Sequence, residues 1–268
     1  MSPASTGGGK RLLCVDVGNS HTTIGLTEGP EVIDHWRVGT YERRTADEWA
    51  VVFSGLLAEH GVQGGVEGVA LCSTVPGVLH EMREMIGRYY AQVPGLVVEP
   101  GVRTGVPVLM DNPREVGTDR ILNALAASAL YAGPKIVVDF GTATTFDVVS
   151  ARGEYVGGAI APGIEISLEA LGARGAQLRR VELIRPRSVV AKNTVEALQS
   201  GAVYGFAGQV DGIVERMISD RDWPHDGVTV IATGGLAPVV LDECRTDIVH
   251  EPWLTLTGLR LVFERNVV

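Results

Sequence analysis

The sequence predicts an α/β protein built from two similar domains, and three observations carry that prediction. Apolar β-rich runs alternate with segments of helical period along the chain. Residues 13–23 are echoed by residues 137–145: each stretch is an apolar strand, an Asp, a Gly turn and a Thr-rich return into a second strand. Between the echoes lies a Gly- and Pro-rich stretch, 101–113, which is the expected hinge. The echoes are about one small domain apart, so the motif reads as duplicated, once per domain. The expected parts are a flexible tail over 1–10, a first domain over 11–115 and a second over 116–268.

Each element has a local reason. Residues 12–17 and 21–27 are short β-rich runs joined by Gly18-Asn19-Ser20, a hairpin signal, and 31–38 reads as a third strand. Thr45-Ala46-Asp47-Glu48 is a capping box that opens a helix to about residue 60. Residues 66–72 form a buried strand, 76–90 a helix with Pro76 in its first turn, and 96–98 a short strand. In the second half, 118–131 is a helix with Ile121, Leu122, Leu125 and Ala129 on one face. Residues 135–139 and 144–150 make a second hairpin, and 164–171 a helix. Gly157-Gly158 and Pro162-Gly163 continue the second domain past its hairpin, either as turns or as part of the ligand site. Residues 174–192 are irregular, with positive charge at Arg179, Arg180 and Arg187. Asn193 and Glu196 cap a helix to about residue 219, with Val195, Leu198, Phe206, Val210, Ile213 and Met217 as its apolar residues. Residues 228–232 form a strand ending in Thr233-Gly234-Gly235, and a closing helix starts near Leu254.

Composition narrows the function classes. The chain is 45% hydrophobic and 21% charged, enough apolar material for a core. Its net charge of -9 argues against nucleic acid as a partner, while small anions remain open to local turns. The apolar run 12–17 is too short for a membrane span or a signal-peptide core, so no membrane partner is expected. Cys14, Cys72 and Cys244 are scattered and odd in number, and no Cys/His cluster has zinc spacing. They read as reduced, mostly buried thiols of a cytoplasmic protein. Gly9-Lys10-Arg11 lacks the upstream Gly spacing and the Ser/Thr of a P-loop.

The chemistry sits in four elements. An Asp-x-Gly hairpin turn lets a ligand come close to the backbone and aims successive N–H groups at an anion. Hydroxyls of Ser20, Thr22, Thr23, Thr142, Thr144 and Thr145 are expected to add donors. Asp16 and Asp139, at the strand ends, can each hold a cation, and Mg²⁺ suits a site shared with phosphates and waters. One such turn is an ordinary hairpin; two matched copies point to a nucleotide between them. The third element is Thr233-Gly234-Gly235, where bare backbone can lie flat on a purine or ribose, although strand-Gly-Gly-helix is common by itself. The fourth is Gly117-Thr118-Asp119-Arg120 at a helix start. There the positive helix pole favours an ionised Asp119, which can accept a proton from an alcohol, and Arg120 can pair with a carboxylate or phosphate. Plain helix capping is the simpler reading of that segment alone.

Taken together, these elements resemble the acetate and sugar kinase, heat-shock chaperone ATPase and actin superfamily. Within it, residues 16–23, Asn112-Pro113 with 117–120, 139–145, 157–163, Lys192-Asn193-Thr194 and 232–235 are similar to type III pantothenate kinases, in family order from about residue 12 to the end. Gly-x-Asp-Arg combined with Lys-Asn-Thr is specific to that family. The resemblance implies two ribonuclease H-like (actin-like ATPase) domains around a nucleotide cleft. It implies that Asp16, Val17, Gly18, Asn19, Ser20, His21, Thr22 and Thr23 bind ATP, with Thr142, Gly234 and Gly235 contributing. It further implies that Gly117, Thr118, Asp119, Arg120 and Thr194 bind pantothenate, with Asp119 as the catalytic base. Asp139 is expected to hold K⁺ or NH₄⁺, while Mg²⁺ accompanies ATP beside Asp16. The implied product is 4′-phosphopantothenate, in the first step of coenzyme A biosynthesis. The implied assembly is a homodimer formed through the second domain. Two departures stand out: Met110 replaces a tyrosine that the family often has, and Asn19-Ser20 replaces the commoner Asn-Thr. The alternatives are a nucleotide-binding accessory protein of weak activity and an ATPase without an alcohol acceptor.

Overall fold

The computed structural model describes residues 10–59, 65–174 and 181–267. The expected tail, apart from Lys10, and the Arg179-Arg180 pair lie outside the described residues. Two compact units result. Unit 1 gathers the described part of Met1–Gly105 with Arg114–Ala126 and Leu254–Val268, and unit 2 holds Val106–Pro113 and Ala127–Trp253. This corrects the expected boundary at 115/116. The last helix carries a stripe of Leu254, Leu256, Leu259, Val262 and Phe263, all buried, and it packs on strands of unit 1. A helix joins whichever sheet covers its apolar face, however far away that sheet is in sequence.

In unit 1, β1 (Arg11–Val17), β2 (His21–Glu28) and β3 (Glu31–Gly39) form an antiparallel meander. β4 (Gly68–Ser73) and β5 (Gly95–Val97) add parallel strands on the other side of β1, for the order β3-β2-β1-β4-β5. One sheet face carries Leu13, Val15, Val17, Ile24, Leu26, Val69 and Leu71, and packs in one core with α1 (Ala46–Glu59) and α2 (Pro76–Tyr89). The capping box at the start of α1 is formed: Thr45 N–H donates to Glu48 Oε2 at 2.8 Å and Glu48 N–H to Thr45 Oγ1 at 3.4 Å. α3 (Thr118–Leu130) belongs to unit 1 through Ala126, and α7 (Leu254–Asn266) packs on β1 and β4. On α3 the expected apolar face is corrected. Residues 122–127 are all buried, Asn123 included, whereas Ala129 is exposed. Covered on more than one side, the helix has no single dry stripe.

Unit 2 repeats the plan. β6 (Lys135–Phe140), β7 (Ala143–Val149) and β8 (Tyr155–Pro162) form the meander, and β9 (Thr229–Thr233) and β10 (Val249–His250) continue in parallel, for the order β10-β9-β6-β7-β8. Strand for strand this matches unit 1, so the duplication seen in the turns extends to both whole sheets. α4 (Ile164–Arg174), α5 (Thr194–Asp220) and α6 (Ala237–Leu241) accompany this sheet. Asn193 caps α5: its side chain accepts from Glu196 N–H at 2.9 Å and donates to Glu196 Oε2 at 2.9 Å. The buried stripe of α5 is Val203, Ala207, Val210, Val214 and Ile218, while Val195 is exposed. β8 went unread as a strand because two glycines interrupt its pattern, and glycines usually punctuate strands.

Candidate active site

In unit 1 the site begins at the C-terminal end of β1. Asp16 lies opposite Thr23 on β2 and beside Cys72 on β4. Side chains of paired residues point to one face of a sheet, and here that face is the one away from α1 and α2. The β1–β2 turn is closed by Gly18 N–H donating to His21 O at 3.1 Å, with Asn19 and Ser20 exposed at its tip. Val17 and Thr22 face the other way. Thr22 is fully buried and its hydroxyl lies 2.9 Å from that of Thr40. The alternation of the strand turns this hydroxyl inward, away from the face of Asp16, unlike the outward donor the sequence led one to expect.

The start of α3 brings Asp119 to the same place. Its charge is close enough to raise the pKa of Asp16. The local fold explains the position: a Cβ at Gly117 would stand 2.4 Å from Asp119 Oδ1, so the carboxylate occupies the space that the glycine leaves. Oδ1 is buried and has no hydrogen-bond partner among the described residues, and the same holds for Thr118 Oγ1. Two buried polar atoms without partners, on successive residues at a helix start, each leave room for a hydrogen-bond partner from a ligand.

Both carboxyls are held above their ordinary range. Burial is the larger cause for Asp16, followed by the charge of Asp119, and together they push its pKa to about 7 against a hydrogen bond that opposes them. That hydrogen bond comes from Cys72, whose Sγ donates to Asp16 Oδ1 at 3.2 Å. Asp119 is raised by burial, partly offset by N–H groups of its own helix turn and by the Arg120 charge. The Cys72 thiol is pushed well up by its burial and by both carboxylates, so it stays a protonated donor. Cys72 was not among the residues expected at the site. Its signal lies in the register: Cys72 pairs with Asp16 as Thr233 pairs with Asp139.

Unit 2 holds the second set. Asp139, near the end of β6, lies between Thr145 on β7 and Thr233 on β9. The β6–β7 turn is one residue shorter than its counterpart, with Gly141 N–H donating to Ala143 O at 3.0 Å. Thr142 is half-buried in this turn. Thr144 is fully buried on the other face, and the Thr145 hydroxyl, on the face of Asp139, donates to Asp147 Oδ2 at 3.2 Å. Gly163, after β8, explains Pro162-Gly163: a Cβ there would stand 2.1 Å from Thr142 O, so only glycine lets the chain pass under the turn. Gly234 has φ 92° and would put a Cβ 2.7 Å from Asp139 Oδ1. The Gly-Gly segment thus packs directly against Asp139. Gly235 is exposed beside it.

Thr194 begins α5 and is exposed beside Asn193. Met110 is 36% exposed, with Sδ near Gly157. Among the described residues no group of three or more His, Cys, Asp or Glu could hold a metal by itself. A carboxylate such as Asp16, beside a turn whose N–H groups can hold an anion, could add one ligand to a cation whose other ligands are phosphates and water.

Two five-stranded sheets of one order, each with an Asp-x-Gly turn after its first strand, define the two-domain class of sugar kinases and actin-like ATPases. Solved structures bear out the fold. An ethanolamine utilization protein from Carboxydothermus hydrogenoformans matches with a TM-score of 0.54 at 15% identity, covering 97% of this chain and 92% of its own. The activator of the 2-hydroxyisocaproyl-CoA dehydratase from Clostridium difficile, with bound ADPNP, matches with a TM-score of 0.51 at 11% identity, covering 96% and 95%. Sequence comparison is more specific. The type III pantothenate kinase family model matches residues 12–216. A type III pantothenate kinase of Streptomyces griseus is 66% identical over 261 residues, covering 96% of this chain and 98% of its own. One from Nocardioides sp. is 67% identical over 256 residues, covering 95% and 99%. This chain belongs to the type III pantothenate kinase family.

Proposed function

We propose that this chain is an ATP-dependent pantothenate kinase, which transfers the γ-phosphate of ATP to the primary hydroxyl of pantothenate in the first step of coenzyme A biosynthesis. The observation that carries the reading is the placement of Asp119: a half-buried carboxylate with an unpartnered Oδ1, next to the Asp16 turn. A raised pKa makes it a better proton acceptor than an ordinary aspartate. In phosphoryl transfer the base chiefly orients the nucleophile, because most of the barrier is met by positioning and charge neutralisation.

The remaining roles follow from that assignment. The residues from Asp16 to Thr23 bind the ATP phosphates, mainly through the backbone of Gly18, Asn19 and Ser20 and the side chains of Ser20, His21 and Thr23. Thr142, Gly234 and Gly235 are proposed as further nucleotide-binding residues, on the resemblance to the family. Gly117, Thr118 and Arg120 hold pantothenate with Asp119, and Thr194 adds a contact. Mg²⁺ accompanies the phosphates beside Asp16 and supplies charge neutralisation there. Asp139 is proposed to hold a monovalent cation, K⁺ or NH₄⁺. A homodimer formed through unit 2 is also proposed, its support being the exposed Ile160, Ile166, Leu171, Val189 and Val190 of that unit. The three free cysteines agree with a cytoplasmic location, and no helix among the described residues is long and apolar enough to cross a membrane.

The test is an ADP-release assay with ATP, Mg²⁺ and K⁺, with and without pantothenate. The expected result is release that depends on pantothenate, and that Asp119→Asn removes while ATP still binds. Release at the same rate without pantothenate would overturn the kinase reading.

A further inference from the structure

The face that carries Asp16 continues outward across the sheet. Asp16 pairs with Thr23, and Thr23 pairs with Arg37 on β3. Arg37, Thr23, Asp16 and Cys72 therefore stand in one row on one face, each a strand spacing of about 4.8 Å from the next. His21, two residues before Thr23, shares that face by the strand period. Arg37 is exposed, and its Nη2 donates to His21 Nδ1 at 2.9 Å. A guanidinium has only donors, so the Nδ1 it contacts carries the lone pair and the His21 proton resides on Nε2. Among the described residues no carboxylate pairs with Arg37, and this hydrogen bond to His21 is its one polar contact. β3 is also tied to the turn, through Thr40 N–H donating to Ser20 O at 3.0 Å.

We propose that Arg37 is a further phosphate-binding residue of the nucleotide site: a fixed cation, aimed by His21, that contacts the polyphosphate held by the Gly18–Asn19–Ser20 turn. The inference rests on the nucleotide reading given above. Its chemistry is direct. The turn offers backbone donors but no formal charge, and the only charge in the row nearer β1 is the negative one on Asp16. A triphosphate there needs cationic neutralisation beyond one divalent ion, and a guanidinium supplies it with a forked set of donors. A salt-bridged arginine would be neutralised already; this one is not.

The test is to titrate Mg-ATP into Arg37→Ala and Arg37→Lys by calorimetry in the absence of pantothenate, alongside steady-state kinetics. For Arg37→Ala the ATP Kd and KM are expected to rise by about tenfold, the scale of one charge-assisted contact open to solvent, with the pantothenate KM unchanged. Arg37→Lys is expected to recover part of the loss, because it keeps the charge but not the fork. An ATP Kd within twofold of the parent, or equal rises in both KM values, would overturn the proposal. Should Arg37→Ala not fold, Arg37→Gln reads the same quantity, since it removes the charge while keeping part of the aliphatic stem and a neutral donor. If the parent releases ADP without regard to pantothenate, the kinase reading fails while the ATP titration still decides the role of Arg37.

Discussion

Replacing Gly117 by alanine is expected to leave the fold in place and remove most of the turnover. The added Cβ would stand 2.4 Å from Asp119 Oδ1, whereas ordinary contact begins at 3.4 Å. The obstructing atom is the far end of a short side chain, so the cheapest relief is for the carboxylate to swing away by about 1 Å. A misplacement of about 1 Å of a catalytic group costs on the order of 10²-fold in rate, which is about 2.7 kcal/mol of barrier. The stability cost is smaller. Gly117 O accepts from Ile121 N–H at 3.3 Å at the helix start, and alanine there is worse than glycine by up to about 1 kcal/mol. Coupled ADP release at saturating substrates measures kcat, and thermal unfolding measures the fold. The ATP KM should stay within about twofold, because the Asp16 turn is untouched. A kcat within about threefold of the parent, with an unchanged melting temperature, would show that the position of Asp119 does not govern the reaction.

Three further perturbations separate parts of the same argument. Cys72→Ala removes the donor to Asp16 Oδ1; kcat is expected to fall about tenfold and Cys72→Ser to restore most of it, and equal activity in both variants would remove Cys72 from the site. Asn193→Ala removes the cap of α5 and should cost about 1 kcal/mol of stability, read as a lower urea midpoint with little change in the ATP KM. Asp211 accepts N–H donors from Arg245 and Thr246 and the Thr246 hydroxyl. Burial would raise its pKa, but these donors prevail and hold it below the ordinary 3.8. A depressed carboxyl stabilises the fold above its unfolded pKa and ceases to do so as pH falls through the folded value. Asp211→Asn should therefore unfold more easily than the parent at neutral pH, with the difference closing below about pH 4 in urea titrations; a constant difference down to pH 2 would count against the assignment.

Much of this protein was legible in one dimension. Strand periodicity, the Thr45 capping box, the Asn193 cap and the two Asp-x-Gly turns are local patterns, and local physical chemistry sets them: a cap needs its oxygen three residues from an N–H, and a tight turn needs glycine. The repeat of residues 13–23 in 137–145 was enough to expect a duplicated architecture, and both sheets have it. Local pattern failed where glycine had two uses. β8 went unread because Gly157 and Gly158 look like punctuation, yet the chain pairs through them with β7.

Tertiary structure decided the rest, because register and long-range packing leave no local trace. It assigned α7 to unit 1, by giving its apolar stripe a sheet face to cover. It turned Thr22 and Thr144 inward and left Thr23 on the face of Asp16, since one residue of register exchanges the two faces of a strand. It brought Cys72 and Arg37 into the row of Asp16 from strands whose own sequences mark neither residue. The sequence by itself determined which groups the chain possesses and which turns they sit on. Only the paired strands and the start of α3 determined that Asp16, Cys72 and Asp119 share one place, because electrostatic coupling depends on distance in space and not along the chain.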